Sequence, residues 1–322
     1  MTTGTTSRSE ILLGTVVTIT IVGADGRDRV PSGAGGSDQV RSGPERSRKP
    51  GADAAIDRAF AWFRDVEGRC SRFDPDSELM RLTQHVGLAV GASDLLFEAV
   101  RFALAVAEET GGAFDPTVGH AMEHRGFNRE YRSGAVVHTA IEAPDDVSYR
   151  DVRCDLEAKT ITLLRPMVLD LGAVAKGLAI DMAARELLPF RDFAIEAGGD
   201  LYLGGKNPAG EAWSVGIRHP RLEGQLIDVL HVSDTAVCTS GDYEKRATEG
   251  HHILDPRTGG SAAGTASATV VAPTAMLADA VATAAFVMGP VEGIELCESL
   301  GLEALILASN LERHETNGLR DG

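Results

Sequence analysis

Positive charge is scarce in this chain. Its 322 residues carry 31 Lys and Arg against 47 Asp and Glu, a net charge of −16. Such a surface is repelled by phosphate backbones and by anionic membranes, which argues against general nucleic-acid binding. A local phosphate site stays open, because it needs only a few cations, backbone N–H groups or a metal ion. An acidic protein that handles a dinucleotide has particular need of a divalent ion. Cysteine is scarce too: Cys70, Cys154, Cys238 and Cys297 are far apart, with no C-x-x-C or Cys/His zinc spacing. Neither a zinc module nor a disulfide framework follows, and free thiols in a reducing compartment are expected. No apolar run reaches transmembrane length. The stretch Ile11–Val22 is broken by Gly14 and three threonines, and no signal-peptide build or lipobox cysteine accompanies it. No membrane anchor is evident, and a cytoplasmic protein is expected. Neither G-x-G-x-x-G after a strand nor G-x-x-x-x-G-K-[ST] occurs, which sets aside Rossmann and P-loop readings. No internal repeat is visible.

What is present is an ordinary hydrophobic fraction of 43% and a length ample for a real core. Residues 11–22 alternate like a β-strand. Residues 23–52 are rich in Gly, Ser, Pro, Arg and Asp, and read as a flexible insertion. Helical periodicity marks 54–70 and 95–110, the second ending at Gly111-Gly112. Strands are expected at 160–164, 167–171, 193–197, 213–217, 226–231, 236–239, 269–272 and 304–307, and helices at 176–188, 275–288 and 291–300. One domain spanning 1–310 with a polar, frayed tail at 311–322 is expected. Strands and helices mix without βαβ alternation, so the fold class is α+β.

Four segments interrupt apolar runs with small and polar residues. Gly111–Gly119 (GGAFDPTVG) follows a helix; its glycines suit either a turn or close approach to a ligand. In Asp170–Gly177 (DLGAVAKG) a carboxylate ends an apolar run and Lys176 stands near a helix start, where a cation is disfavoured. An anion explains it, either Asp170 in an ion pair or a phosphate. Ser240-Gly241-Asp242-Tyr243, followed by His251–Gly259 (HHILDPRTG), is dense in polar groups. His252 there suits a general base, because imidazole titrates near neutrality, or it serves the turn. Finally Asp279 and Thr283 lie four apart on a nearly all-apolar helix, hence on one face. They suit Mg²⁺, which takes hard oxygen ligands, or a mutual hydrogen bond.

The order of these segments is more specific than any one of them. Leu13-Gly14-Thr15, Ser71–Leu79 (SRFDPDSEL), GGAFDPTVG, DLGAVAKG, Glu196–Gly205 (EAGGDLYLGG), TSGDYE at 239–244, HHILDPRTG and ADAVATAAFVMG at 278–289 follow one another. From Ile11 to about Leu307 the chain resembles the ApbE family of FAD:protein FMN transferases.

That resemblance implies an ApbE-like α+β fold related to the tunnelling fold, with FAD as substrate and Mg²⁺ as cofactor. It implies transfer of FMN to a Ser or Thr hydroxyl of an acceptor flavoprotein, with AMP leaving. A FAD pyrophosphatase and a non-catalytic flavin-binding protein are the alternatives. The metal ligands it implies are Asp279, Thr283 and the carbonyl of Ala173. The FAD contacts are Leu13, Phe73, Ala113, Phe114, Asp115, Asp170, Lys176 and Ile253. The catalytic group is His252, Lys176 and Asp170, with the proton taken by His252 or by a carboxylate such as Asp170 or Asp242. The chain departs from the family pattern in having Leu13 where Met is usual, in the insertion at 23–52, in the polar HAMEHRGF segment after Gly119, and in lacking an export signal.

Overall fold

The computed structural model describes residues 4–23, 51–144, 146–243, 246–247 and 250–320. The expected insertion at 23–52 lies, apart from its ends, outside the described residues.

In chain order the N-terminal half comprises β1 (Thr5–Leu12), β2 (Thr15–Val22), α1 (Ala52–Cys70), α2 (Glu78–Thr83), β3 (Val90–Gly91), α3 (Asp94–Glu109), α4 (Gly119–His124), β4 (Val152–Asp155) and β5 (Thr160–Leu163). Then follow α5 (Gly172–Leu187), β6 (Phe193–Ala197), β7 (Asp200–Gly204), β8 (Trp213–Arg218), β9 (Leu226–Val232) and β10 (Thr235–Gly241). The short pairs β11 (Arg246–Ala247) with β12 (Gly250–His251), and β13 (Leu254–Asp255) with β14 (Gly260–Ser261), precede β15 (Thr265–Ala272). The chain ends in α6 (Ala275–Met288), α7 (Pro290–Ser299), β16 (Glu303–Ala308), β17 (Arg313–Glu315) and α8 (Asn317–Arg320).

Eight strands form one antiparallel sheet in the order β1-β2-β6-β7-β10-β15-β16-β17. Alternation decides what each face buries. Ala236 and Cys238 join the large core beneath α1, α3, α5 and α6, while Val237 between them joins a smaller cluster. That second cluster, with Leu203, Leu305 and Leu307, is closed by Val215, Ile217 and Leu230 of the β8–β9 ribbon. The fold is therefore helices on one face of a mixed-length antiparallel sheet and a two-stranded ribbon on the other, an α+β architecture as expected.

Several elements differ from expectation, each for a local reason. Residues 11–22 are not one strand. Leu12 pairs with Thr15 across a two-residue turn, with Leu13 at φ 50 and Gly14 at φ 78. Two successive positive φ values match the right-handed twist of a tight hairpin, but leucine seldom adopts one. Residues 167–171 join no ladder. The Gly119 N–H donates to the Val168 carbonyl (3.1 Å), and Asp170 N–H donates to the Pro116 carbonyl (2.7 Å). α5 begins at Gly172, so Lys176 lies more than a turn inside it. β7, α2 and α4 were not expected. The C-terminal tail is not frayed throughout: β17 pairs with β16, and Thr316 is 2% exposed, its hydroxyl accepting from Ala304 N–H at 3.0 Å.

The outer strands of the large sheet are protected by charge. On β1, Arg8 reaches Asp57 and Arg64 reaches Glu10. β17 is three residues long, and its Arg313 pairs with Asp228 and Glu315.

Candidate active site

The crossing of α5 and α6 builds the first part of the site. A Cβ on Gly177 would lie 2.5 Å from both the Ala275 carbonyl oxygen and the Met276 Cα. Only glycine lets the two backbones approach so closely. One residue earlier on α5, Lys176 therefore faces the acid of α6: its Nζ is 3.5 Å from Asp279 Oδ2. It also pairs with Asp200, which is 1% exposed and accepts from the Thr239 N–H at 3.2 Å. Thr283, one turn after Asp279, has its hydroxyl 3.1 Å from Ser240 Oγ. The entry of α6 is fixed by α5 as well. Asp181 accepts the N–H groups of Ala275 (2.7 Å) and Met276 (3.0 Å). Burial pushes its carboxyl up to about 6 against the lowering effect of those two amides.

For Lys176 the sequence offered either an ion pair with Asp170 or a phosphate, and the acids it meets are Asp200 and Asp279. Asp170 instead pairs with Arg72 and accepts the Gly172 N–H at 2.7 Å, holding the start of α5. Arg72 is 4% exposed. Its guanidinium also donates to the Phe127 carbonyl and lies 4.2 Å from the centre of the Phe73 ring. Phe127 in turn meets His252 edge-on, centroids 6.4 Å apart. Arg72 thus joins Phe73, Asp170 and the neighbourhood of His252, and Asp170 N–H ties them to the Ala113–Asp115 segment through Pro116. Ala113 and Phe114 are buried there. Asp115 is also buried, and burial raises its carboxyl above the usual range. It accepts from Thr117 N–H (2.9 Å), Thr117 Oγ1 (2.7 Å) and Tyr149 N–H (3.0 Å), so it orders the turn.

The two adjacent histidines have different duties. His251 Nε2 bonds the Ala262 carbonyl at 2.9 Å, and Nδ1 accepts the Ile253 N–H at 3.3 Å. Its ring also meets Phe286 edge-on at 5.4 Å. With both nitrogens engaged, His251 fastens the loop to α6, whereas His252 is half-buried on the Phe127 side. Asp255 bonds Arg257 through both carboxylate oxygens, which lowers its pKa, and its carbonyl accepts from Thr258 and Gly259 N–H. Arg125 donates to the Gly259 carbonyl at 2.7 Å. Asp242 is held in a two-pronged pair with Arg221 at 2.6 and 2.7 Å. Leu13 lies at the hairpin tip: its N–H donates to Glu67 (3.1 Å), which also receives Tyr131 (2.7 Å) and Arg132 (2.6 Å).

Asp200 and Arg72 were not singled out from the sequence, although both lie in segments that were. Asp200 is a charged residue among glycine and apolar neighbours, the signal that singled out Asp279, whereas Arg72, between Ser71 and Phe73-Asp74, carries no such signal.

The sequence between these groups matches the model of the ApbE family over residues 13–306. The chain belongs to the ApbE family. Among relatives named FAD:protein FMN transferase, that of Treponema pallidum is 31% identical over 310 residues, covering 85% of this chain and 83% of that protein. That of Haemophilus influenzae is 30% identical over 267 residues, covering 77% and 76%. The crystal structure of the ApbE protein from Thermotoga maritima superposes with a TM-score of 0.80 at 27% identity, covering 98% of each chain. The flavin transferase ApbE from Vibrio cholerae, at 23% identity and TM-score 0.79 over 99% of each chain, shares the fold. Among the described residues no helix is long and apolar enough to cross a membrane.

The ApbE site has the donor set of a hard cation. Asp279, a buried carboxylate, and Thr283, a hydroxyl one helical turn later on α6, both offer oxygen. Lys176 supplies one positive charge against the two of Asp200 and Asp279, so a divalent ion fits the residual negative charge.

Proposed function

We propose that this chain transfers the FMN half of FAD to a Ser or Thr hydroxyl of an acceptor protein, releasing AMP, in a Mg²⁺-dependent reaction. The observation that carries the reading is the acid pair around one ammonium, Lys176 with Asp200 and Asp279, beside Thr283. The names of its relatives support the same activity.

Asp279, Thr283 and the Ala173 carbonyl would hold Mg²⁺, which when bound neutralises and orients pyrophosphate oxygens. Lys176 keeps Asp279 aimed and spares the site the repulsion of two bare carboxylates. Phe73, with Arg72 on its ring, and the backbone of 113–115 would hold the ring systems of FAD, aided by Leu13 and Ile253. Asp170 keeps Arg72 and the α5 N-terminus in register. His252 would accept the proton as the acceptor hydroxyl oxygen bonds to the FMN phosphorus. The P–O bond to AMP breaks, and AMP leaves with the electron pair. Of the candidate bases, His252 is preferred because Asp170 and Asp242 are held by arginines.

The test is AMP release from FAD with and without Mg²⁺, together with intact mass of an acceptor domain carrying a Ser/Thr flavinylation site. AMP with FMN mass added to the acceptor supports the transferase. AMP with free FMN and an unchanged acceptor points to hydrolysis, with water in the place of the hydroxyl. Intact FAD under both conditions overturns the reading.

A further inference from the structure

The polar segment that follows Gly119 is not used by the proposed reaction, yet it is ordered around an unusual pair. His120 and His124 are separated by one turn of α4. Their rings stack with centroids 4.4 Å apart and planes 11° apart, and their Nε2 atoms are 2.8 Å from each other. Two imidazole nitrogens face each other, and only one of them can carry the proton between them. Histidines at i and i+4 on a helix are the spacing that lets two imidazoles chelate one ion.

Two further atoms of the same turn are unusual. His120 Nδ1 and Glu123 Oε1 are both buried, and neither has a hydrogen-bond partner among the described residues. Glu123 is not loose: its other oxygen accepts from Thr139 Oγ1 (2.7 Å) and Thr139 N–H (3.2 Å). The orphaned atoms are chemically complementary, one a potential N–H donor and the other a carboxylate acceptor. They lie three residues apart, on one side of the helix. A buried polar atom without a partner is costly.

We infer that His120 and His124 form a binding site for a borderline divalent transition-metal ion, with Glu123 as the support behind His120. An ion held by both Nε2 atoms requires both to be bare. The proton of His120 then resides on Nδ1, and its acceptor is Glu123 Oε1, unpartnered three residues along the same helix. Occupancy so satisfies both orphaned atoms and replaces the facing nitrogens with two metal–ligand bonds. Metal-ligating histidines commonly donate their second N–H to a carboxylate in this way. Imidazole ligands select zinc, nickel or copper over the magnesium preferred by the oxygen set at Asp279. His124 is exposed, so the remaining coordination positions open to water or to a donor from another molecule. Through Arg125, the ion would neighbour the turn that ends at Gly259.

The probe is Cu²⁺ titrated into the full chain with Mg²⁺ in excess, read by electron paramagnetic resonance. The expected result is one Cu²⁺ with couplings to two imidazole nitrogens, displaced by Zn²⁺ only in large excess. His124→Ala, an exposed change, should remove the two-nitrogen signature while Tm stays put. Glu123→Gln should keep both nitrogens but weaken affinity by about 10- to 100-fold. Two results overturn the inference. One is a Cu²⁺ spectrum without two-nitrogen coupling in the unaltered chain. The other is an affinity and spectrum unchanged in His124→Ala.

Discussion

The α5–α6 crossing and the 251–261 loop both contribute to the proposed site, but they hold their side chains by different means. At the crossing, Lys176, Asp279 and Thr283 project from long helices whose approach is set by glycine and whose entry is fixed by Asp181. In the loop, His252 is carried between short turns fastened by His251, Asp255 and Arg125. The difference matches the demands of the proposed chemistry. Charge at a pyrophosphate must be met by groups whose positions are fixed beforehand. A proton acceptor must also leave room for a large incoming partner.

The largest effect should come from breaking the crossing. Gly177→Val forces a side chain into the Ala275–Met276 backbone, which overpacks the contact by about 1–3 kcal/mol. Both Tm and AMP release should fall, the latter to background. Asp279→Ala should abolish Mg²⁺-dependent AMP release with Tm nearly unchanged. Turnover equal to the parent at limiting Mg²⁺ in chelator-treated buffer contradicts the metal assignment. The adjacent histidines then sharpen the contrast. His252→Ala should lower kcat by about 10²–10⁴-fold without a change in Tm. His251→Ala should instead cost about 1–2 kcal/mol of stability through its lost hydrogen bonds, and reversal of that pattern would exchange their roles.

A separate effect concerns pH. The Asp181 carboxyl is raised from 3.8 to about 6 in the folded chain. The folded state therefore binds its proton more tightly than the unfolded state does, and stability falls as pH rises from about 4 through 6. Asp181→Asn should flatten that part of the stability–pH curve, by up to about 3 kcal/mol, as measured by denaturant unfolding at pH 4.5 and 7.5.

Much of this was legible in the chain before its fold was known, but unevenly. α3 was delimited to within a residue, because apolar spacing and the Gly111-Gly112 stop agree. The hairpin turn was hidden because Leu13 holds a conformation that leucine gives no sign of accepting. The first half of β15 was missed because Thr265, Ala266 and Ser267, all buried, look like loop residues in sequence. At the site, the shared face of Asp279 and Thr283 could be read from helical spacing alone. The partner of Lys176 could not. Asp170 is six residues away and Asp200 twenty-four, and only the sheet brings the more distant carboxylate to the ammonium. Where two charged groups are joined through tertiary packing, linear proximity is a poor guide to which acid wins.

The two outer strands of the eight-stranded sheet have a consequence for handling the protein. An open antiparallel sheet presents unpaired N–H and C=O groups along both margins, a template for adding a strand from another molecule. Here one margin has arginine and glutamate engaged by neighbouring elements, and the other stops after three residues. Neutralising these charges, as with Arg8→Val together with Glu10→Val, leaves the reacting groups untouched. It would give the margin an uncharged, β-prone stretch, and the protein would be lost to self-association at concentrations where the parent stays dispersed.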